Sequence, residues 1–348
     1  MNSLTKQEVK NVIDGKRTTE RIPNLCSFWI YPDRITDEET KLKWSDWLNK
    51  QVYDMDVVNF RLPKINTVPE NWNCNKEYCW LPSETPFIES SGLDSTIWIK
   101  DWEDTDFIEN MYAKFPTPNM LKELSHNKPD SAKYVVFQWF YWLFERHWSL
   151  RGMENALTDF LLYPEEVHRF YQKLTDFYIG IMERAKREFD VDAVWTSDDI
   201  GTQTGPFFSL EVFRTFFKPY YKQMIDKAHE LGMHFWLHTC GNIEMFLEDF
   251  IEIGLDVIHP IQKYTMDEAE IAKKYGDRIC ILAGFDVQQT IPYGTPEDVR
   301  KEVRYLIDTF DRPEGRFMIT MGNANTEDWK LENLVALYDE IATYPSTP

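Results

Sequence analysis

From Ala193 to Ile341 the sequence repeats one plan five times: a short apolar run of strand length, a turn, then a longer segment with helical periodicity. The runs are Ala193–Ser197, His234–His238, Asp256–His259, Ile279–Ala283 and Arg316–Thr320, each followed by a helix, at Leu210–Leu231, Ile243–Ile253, Met266–Lys274, Pro296–Phe310 and Leu331–Ile341. A strand that returns through a helix lies parallel to the strand before it, and such sheets bury both faces under helices. Weaker units precede the repeat. They are a helix over 4–17 closed by Gly15, a strand at Ile22–Ile30, a helix from Asp37 to Tyr53, strands at Asp56–Leu62 and Tyr134–Gln138, and a long helix at Pro164–Phe189. The pattern predicts an α/β fold, a (β/α)8 TIM barrel with an N-terminal helical extension, built as a single domain over residues 1–348. Residues 63–105 lose helical periodicity and carry two β-like runs around Gly92-Leu-Asp, so a β-hairpin-like insertion at the barrel mouth is expected there. A doubly wound open sheet is the alternative; no Gly-x-Gly-x-x-Gly or phosphate-loop pattern supports it.

In a barrel the C-terminal strand ends meet at one face. Asp198, Asp199, His238, Cys240, His259, Gln262, Asp286 and Asn323 then ring a single cavity. His238 and Cys240 leave one strand two residues apart and so face the same space, where an imidazole nitrogen and a thiolate form half of a zinc site. The plainer reading makes Cys240 a small buried residue and His238 a hydrogen-bonded core histidine. Around the pair, Asp198, Asp199 and His259 are the expected acid–base groups, and Trp195, Trp236, Asp286 and Asn323 the expected lining of a ligand or cofactor space.

The chain carries 38 Lys+Arg against 58 Asp+Glu, a net charge of −20. Such a surface repels nucleic acid and anionic membranes. No apolar run approaches the ~18 residues that cross a bilayer, and Met1-Asn-Ser-Leu-Thr-Lys-Gln-Glu lacks the plan of a signal peptide, so a cytoplasmic protein is expected. Five scattered cysteines do not suggest a disulfide framework, and Cys74 and Cys79 lack neighbours to complete a metal site. Aromatic residues make up 15%, with 13 Trp, enough to wall a flat apolar pocket as well as fill a core.

Several spaced blocks resemble the uroporphyrinogen decarboxylase superfamily: Leu237-His-Thr-Cys-Gly-Asn242, Asp256-Val-Ile-His-Pro-Ile-Gln262, Leu282-Ala-Gly-Phe-Asp286, Tyr293-Gly-Thr-Pro-Glu-Asp-Val-Arg300 and Glu332-Asn333. The resemblance spans about residues 160–345. It implies one of two branches on a common barrel. Metal-free decarboxylases hold an acidic tetrapyrrole with an N-terminal arginine pair and an aspartate; zinc methyltransferases pass methyl groups between a small donor or thiol and a corrinoid protein. His238-Thr-Cys240 is similar to the zinc pair of the second branch, and Phe28-Trp-Ile-Tyr-Pro-Asp-Arg34 offers one arginine where the first branch has two. The resemblance also implies a third ligand, Cys or His, after the last strand. There Thr320-Met-Gly-Asn323-Ala-Asn325 offers only Asn323 or Met321, both poor zinc ligands. A carboxylate at a neighbouring strand end is the simplest substitute, with Asp199 first, then Glu145 and Glu154, and Cys280 as a further thiol; each also has an ordinary structural role open to it.

A zinc ion in such a site acts as a Lewis acid on the oxygen or sulfur that loses its methyl group, and a nearby carboxylic acid can protonate it. The aromatic surplus favours a methoxylated aromatic donor; a methylamine held by cation–π contacts and a thiol are the alternatives. The chain has no Asp-x-His-x-x-Gly segment to present a histidine to cobalt, so the corrinoid is expected on a separate partner protein. A homodimer is open to it. Two other functions stay in view, a metal-free decarboxylase-like enzyme using Asp198 or Asp199 as its acid and a non-catalytic ligand-binding barrel.

Overall fold

The computed structural model of the chain describes residues 2–59, 97, 99–103 and 132–345. The hairpin-like insertion expected at 63–105 lies, apart from a few residues near its end, outside the described residues.

Among the described residues seven parallel strands pair in sequence order: β1 (Met55–Asn59), β2 (Tyr134–Trp139), β3 (Ala193–Ser197), β4 (His234–His238), β5 (Val257–His259), β6 (Cys280–Phe285) and β7 (Phe317–Met321). Sequential order in a wholly parallel sheet is the order of barrel staves. The remaining stave is short. Leu25 N–H donates to the Ile319 carbonyl at 2.8 Å and Ile319 N–H to the Pro23 carbonyl at 3.1 Å, a parallel bridge centred on Asn24. The strand expected over Ile22–Ile30 shrinks to this bridge for two local reasons. Pro23 has no N–H to give a ladder, and the Asn24 side chain accepts from Cys26 N–H at 2.9 Å, turning the chain into the 3-10 turn Cys26–Trp29. That turn delivers Phe28 and Trp29 to the barrel interior.

The long helix Pro164–Phe189 starts as its sequence predicts, with Pro at its first position and Glu165 and Glu166 in the first turn, and buries an apolar stripe from Val167 to Ala185. The segment expected as one helix from Leu210 is interrupted by a π turn at Phe213–Phe217 before Lys218–Glu230. Pro219 stands at the start of the second part and has no N–H for a carbonyl four residues back, which a widened turn accommodates. Helix Pro296–Phe310 opens in a capping box between Thr295 and Asp298. Among the described residues no helix is long and apolar enough to cross a membrane.

Register aligns the side chains that matter. Ser197, His238 and His259 sit side by side on β3, β4 and β5, and one layer below them Trp195 pairs with Trp236. The two tryptophans are fully buried with ring centroids 5.6 Å apart, so the barrel interior beneath the mouth is filled by aromatic packing.

Candidate metal centre

The site begins with two glycines. A Cβ on Gly201, in the loop after β3, would lie 2.7 Å from the Cys240 carbonyl oxygen. One on Gly241, at φ +87°, would lie 2.4 Å from the Gly201 carbonyl carbon. The loops after β3 and β4 therefore touch backbone to backbone, an approach only glycine allows. Their contact carries Asp199 to the β4 loop, where its Oδ1 accepts from Cys240 N–H at 2.7 Å.

His238 Nε2 then lies 3.4 Å from Cys240 Sγ and 3.7 Å from Asp199 Oδ1, and the three ligand atoms fall within 4.8 Å of one another. A tetrahedral ion with bonds of ~2.0 Å to nitrogen or oxygen and ~2.3 Å to sulfur has ligand-to-ligand edges of about 3.3–3.6 Å. The nitrogen–sulfur edge already has this length and the nitrogen–oxygen edge is slightly long. One imidazole, one thiol and one carboxylate are a borderline-soft donor set that suits zinc. His238 is buried, whereas the Asp199 side chain is 39% exposed, so the site is walled on one side and open on another. Three protein ligands with an open side is the pattern of a catalytic rather than a structural zinc site.

Behind His238 stands His259. The two Nδ1 atoms are 2.7 Å apart, and His259 Nε2 lies 3.0 Å from the Met321 carbonyl oxygen at the end of β7. Trp29 stacks on His259 at 5.5 Å and Phe140 on His238 at 5.8 Å. Burial holds the pKa of both imidazoles below the ordinary histidine value, His259 the further because His238 adds to the effect. Burial also pushes the Cys240 thiol up, helped by the charges of Asp199 and Glu145. With both ring nitrogens engaged inside the protein, His259 has none to offer a substrate.

Asp198 and Asp199 diverge although they are neighbours. Asp198 is fully buried and accepts from the backbone N–H groups of Phe144 (3.1 Å) and Glu145 (2.8 Å) and from the Tyr221 hydroxyl (2.6 Å). It thereby anchors the start of helix Leu143–Arg151, and burial outweighs those hydrogen bonds to raise its pKa to about 6. Glu145, also buried, accepts from the Ser197 hydroxyl; its pKa stands well above the carboxylate range through burial, then through Asp199 and Asp198.

The other expected lining residues separate. Asp286 uses both oxygens within the loops, accepting from the N–H groups of Gln288, Gln289 and Thr290 and the Thr290 hydroxyl of its own loop and from the Tyr264 hydroxyl of the loop after β5. Asn323 is exposed at the rim and accepts from Ala324 N–H. Both border a small cavity of about 70 Å³ that reaches Cys240 and is also lined by Gly284 and Gly322. Trp195 and Trp236 are core, although Trp195 meets His259 edge-on at 5.6 Å. Of the further ligand candidates, Glu154 is exposed and Cys280 is buried at the start of β6, the end of the strand remote from the mouth. Sequence reasoning did not single out Gly201, Phe140 or the Met321 carbonyl; the high aromatic content was the signal that pointed toward an aromatic wall.

A sequence model of the family described as Uroporphyrinogen decarboxylase (URO-D) matches residues 148–344. A methylated-thiol–coenzyme M methyltransferase of Methanosarcina mazei is 24% identical over 161 residues, covering 45% of this chain and 41% of that protein. The match thus spans less than half the length of that curated relative. The solved structure of a methyltransferase from Methanosarcina mazei superposes with a TM-score of 0.61 at 13% identity, covering 98% of this chain and 99% of the other, a likeness of fold.

Proposed function

Because the chain belongs to the uroporphyrinogen decarboxylase (URO-D) family and sets a carboxylate, an imidazole and a thiol together at its barrel mouth, we propose that it is a zinc-dependent methyltransferase of that family's corrinoid-linked branch. It transfers a methyl group from a small methylated donor to the cobalt of a corrinoid carried by a separate protein, in the cytoplasm. The observation that carries this reading is the 3.4 Å and 3.7 Å spacing of Cys240 Sγ and Asp199 Oδ1 around His238 Nε2. When bound there, zinc supplies Lewis acidity that stabilises the sulfur or oxygen anion left as the methyl group departs.

The chain's own groups divide the remaining work. Asp199, His238 and Cys240 bind the ion. Trp29 and Phe140, stacked over the two imidazoles, keep water from that side and lower the local dielectric, which strengthens every charge interaction at the site. Glu145, buried and hydrogen-bonded by the Ser197 hydroxyl, holds its proton more tightly than an ordinary carboxylate, because burial and the charges of Asp199 and Asp198 raise its pKa.

A methylated thiol is the leading donor. The name of the Methanosarcina mazei relative points to it, and the cavity reaching Cys240 is only about 70 Å³. A methoxylated aromatic donor is the second reading, favoured by Phe140 and Trp29 beside His238; Trp195 and Trp236, part of the aromatic surplus that suggested it, are packed in the core. The test joins metal analysis with turnover. Wild type is expected to bind one zinc that His238→Ala and Cys240→Ala lose, and to methylate a Co(I) corrinoid protein from a methylated thiol. A zinc-free protein that decarboxylates a porphyrinogen would instead establish the metal-free reading.

A further inference from the structure

We infer that His259 is a positioning residue that fixes His238 as its Nδ1-protonated tautomer and so turns a bare Nε2 lone pair toward Cys240 and Asp199. The ring arrangement allows this assignment alone for two neutral imidazoles. The Met321 carbonyl oxygen, 3.0 Å from His259 Nε2, has only lone pairs, so His259 Nε2 carries the hydrogen. Neutral His259 then has a bare Nδ1. A 2.7 Å contact between two ring nitrogens needs one hydrogen between them, and it comes from His238 Nδ1. Neutral His238 in turn has no hydrogen left for Nε2, the atom 3.4 Å from Cys240 Sγ. The reverse relay requires a doubly protonated His259, a cation fully buried between Trp29 and Trp195 with, among the described residues, no carboxylate hydrogen-bonded to it.

The fold holds the relay in place from three sides. His238 and His259 are direct partners across β4 and β5, and Thr239 N–H donates to the His259 carbonyl at 2.8 Å. Trp29 lies nearly parallel to His259, at 17°, and Phe140 to His238, at 23°, so neither ring turns over without displacing an aromatic neighbour. Strand β7, which ends at Met321 just before the position of the expected third ligand, thus acts on the centre through a carbonyl and two imidazoles. Metal-binding histidines commonly hand their second N–H to a carboxylate or carbonyl. Here a second histidine stands between.

The consequence for metal binding rests on the zinc reading above, and the tautomer itself does not, so two measurements separate them. In the metal-free full-length protein, long-range ¹⁵N–¹H correlation of labelled histidines is expected to show His238 protonated at Nδ1 and His259 at Nε2. A His238 proton on Nε2 overturns the inference whatever the protein does with zinc. In competition with a chromophoric chelator, His259→Phe, which keeps the stacking but offers no acceptor, is expected to weaken zinc binding about 10- to 100-fold. His259→Gln, whose amide can accept from His238 and donate to Met321, is expected to recover most of that loss. Wild-type affinity in a folded His259→Phe protein overturns the positioning role. Should His259→Phe fail to fold, His259→Gln and the correlation spectrum of wild type still decide. Absence of zinc binding by wild type sinks the metal reading and leaves the tautomer to the spectrum.

Discussion

Substituting Gly201 by alanine adds one methyl group at a residue that offers no ligand atom, yet it should open the metal centre. The new Cβ would stand 2.7 Å from the Cys240 carbonyl oxygen, 2.9 Å from the Gly241 carbonyl carbon and 3.0 Å from Asn242 N, all backbone atoms that cannot swing aside. Ordinary contact begins at 3.4 Å, so the two loops must part by roughly 0.7 Å, several times the ~0.2 Å tolerance of a metal–ligand bond. Overpacking of this kind costs about 1–3 kcal/mol. Taken up at the loop contact that joins Asp199 to Cys240, it corresponds to roughly a 5- to 150-fold loss of zinc affinity. Chelator competition reads the loss and thermal unfolding reports any wider damage. Gly205→Ala is the control, in the same loop with no described residue within 4 Å of its new Cβ, and should bind zinc like wild type. Unchanged zinc affinity in Gly201→Ala would refute the claim that the glycine contact sets the ligand spacing.

Other outcomes follow from the buried charges. Asp198 titrates at about 6 in the folded chain against 3.8 unfolded, so the native state holds its proton more tightly. Its contribution is present in full below the unfolded value and is lost as pH rises through about 6, a fall of about 3 kcal/mol. Urea unfolding between pH 4 and 7 should show stability decreasing over this window, and Asp198→Asn should reduce the decrease; an identical slope in the variant contradicts the assignment. Arg151 holds Asp159 in a buried bidentate pair beside His147, with Asp159 titrating at about 2. Arg151→Met should therefore cost about 3–5 kcal/mol in urea unfolding, since it strands a buried carboxylate. In metal-free protein, alkylation of Cys240 at pH 8 should run slower than that of a free peptide thiol and still climb at pH 10, because burial raises its pKa; bound zinc should block it. A fast reaction at pH 8 would contradict the thiol's environment.

Much of this centre was legible in the sequence because it rests on local periodicity. His238 and Cys240 leave one strand two residues apart, and the register that puts His259 beside His238 follows from successive parallel staves. The start of helix Pro164–Phe189, marked by its proline and the carboxylates behind it, was equally local. What could not be read was side-chain choice between adjacent positions. Asp198 and Asp199 differ by one place, and alternation sends the first into the wall against helix Leu143–Arg151 and the second to Cys240. The short stave at Asn24 was over-read as a strand because Ile22, Leu25, Phe28 and Trp29 are apolar for packing rather than pairing. Nor could any pattern reveal that Gly201 matters, because its constraint comes from a backbone forty residues away in the chain.

The three donor atoms of the centre come from only two adjoining staves, β3 and β4, and none from the seam where Asn24 meets β7. An ion there would clasp one hairpin-sized sector of the ring and leave the opposite arc unbraced. Loading the centre should then slow amide exchange around residues 193–242 while the Asn24 seam exchanges as before, so that the barrel is stiffened eccentrically, with its compliant side at that seam.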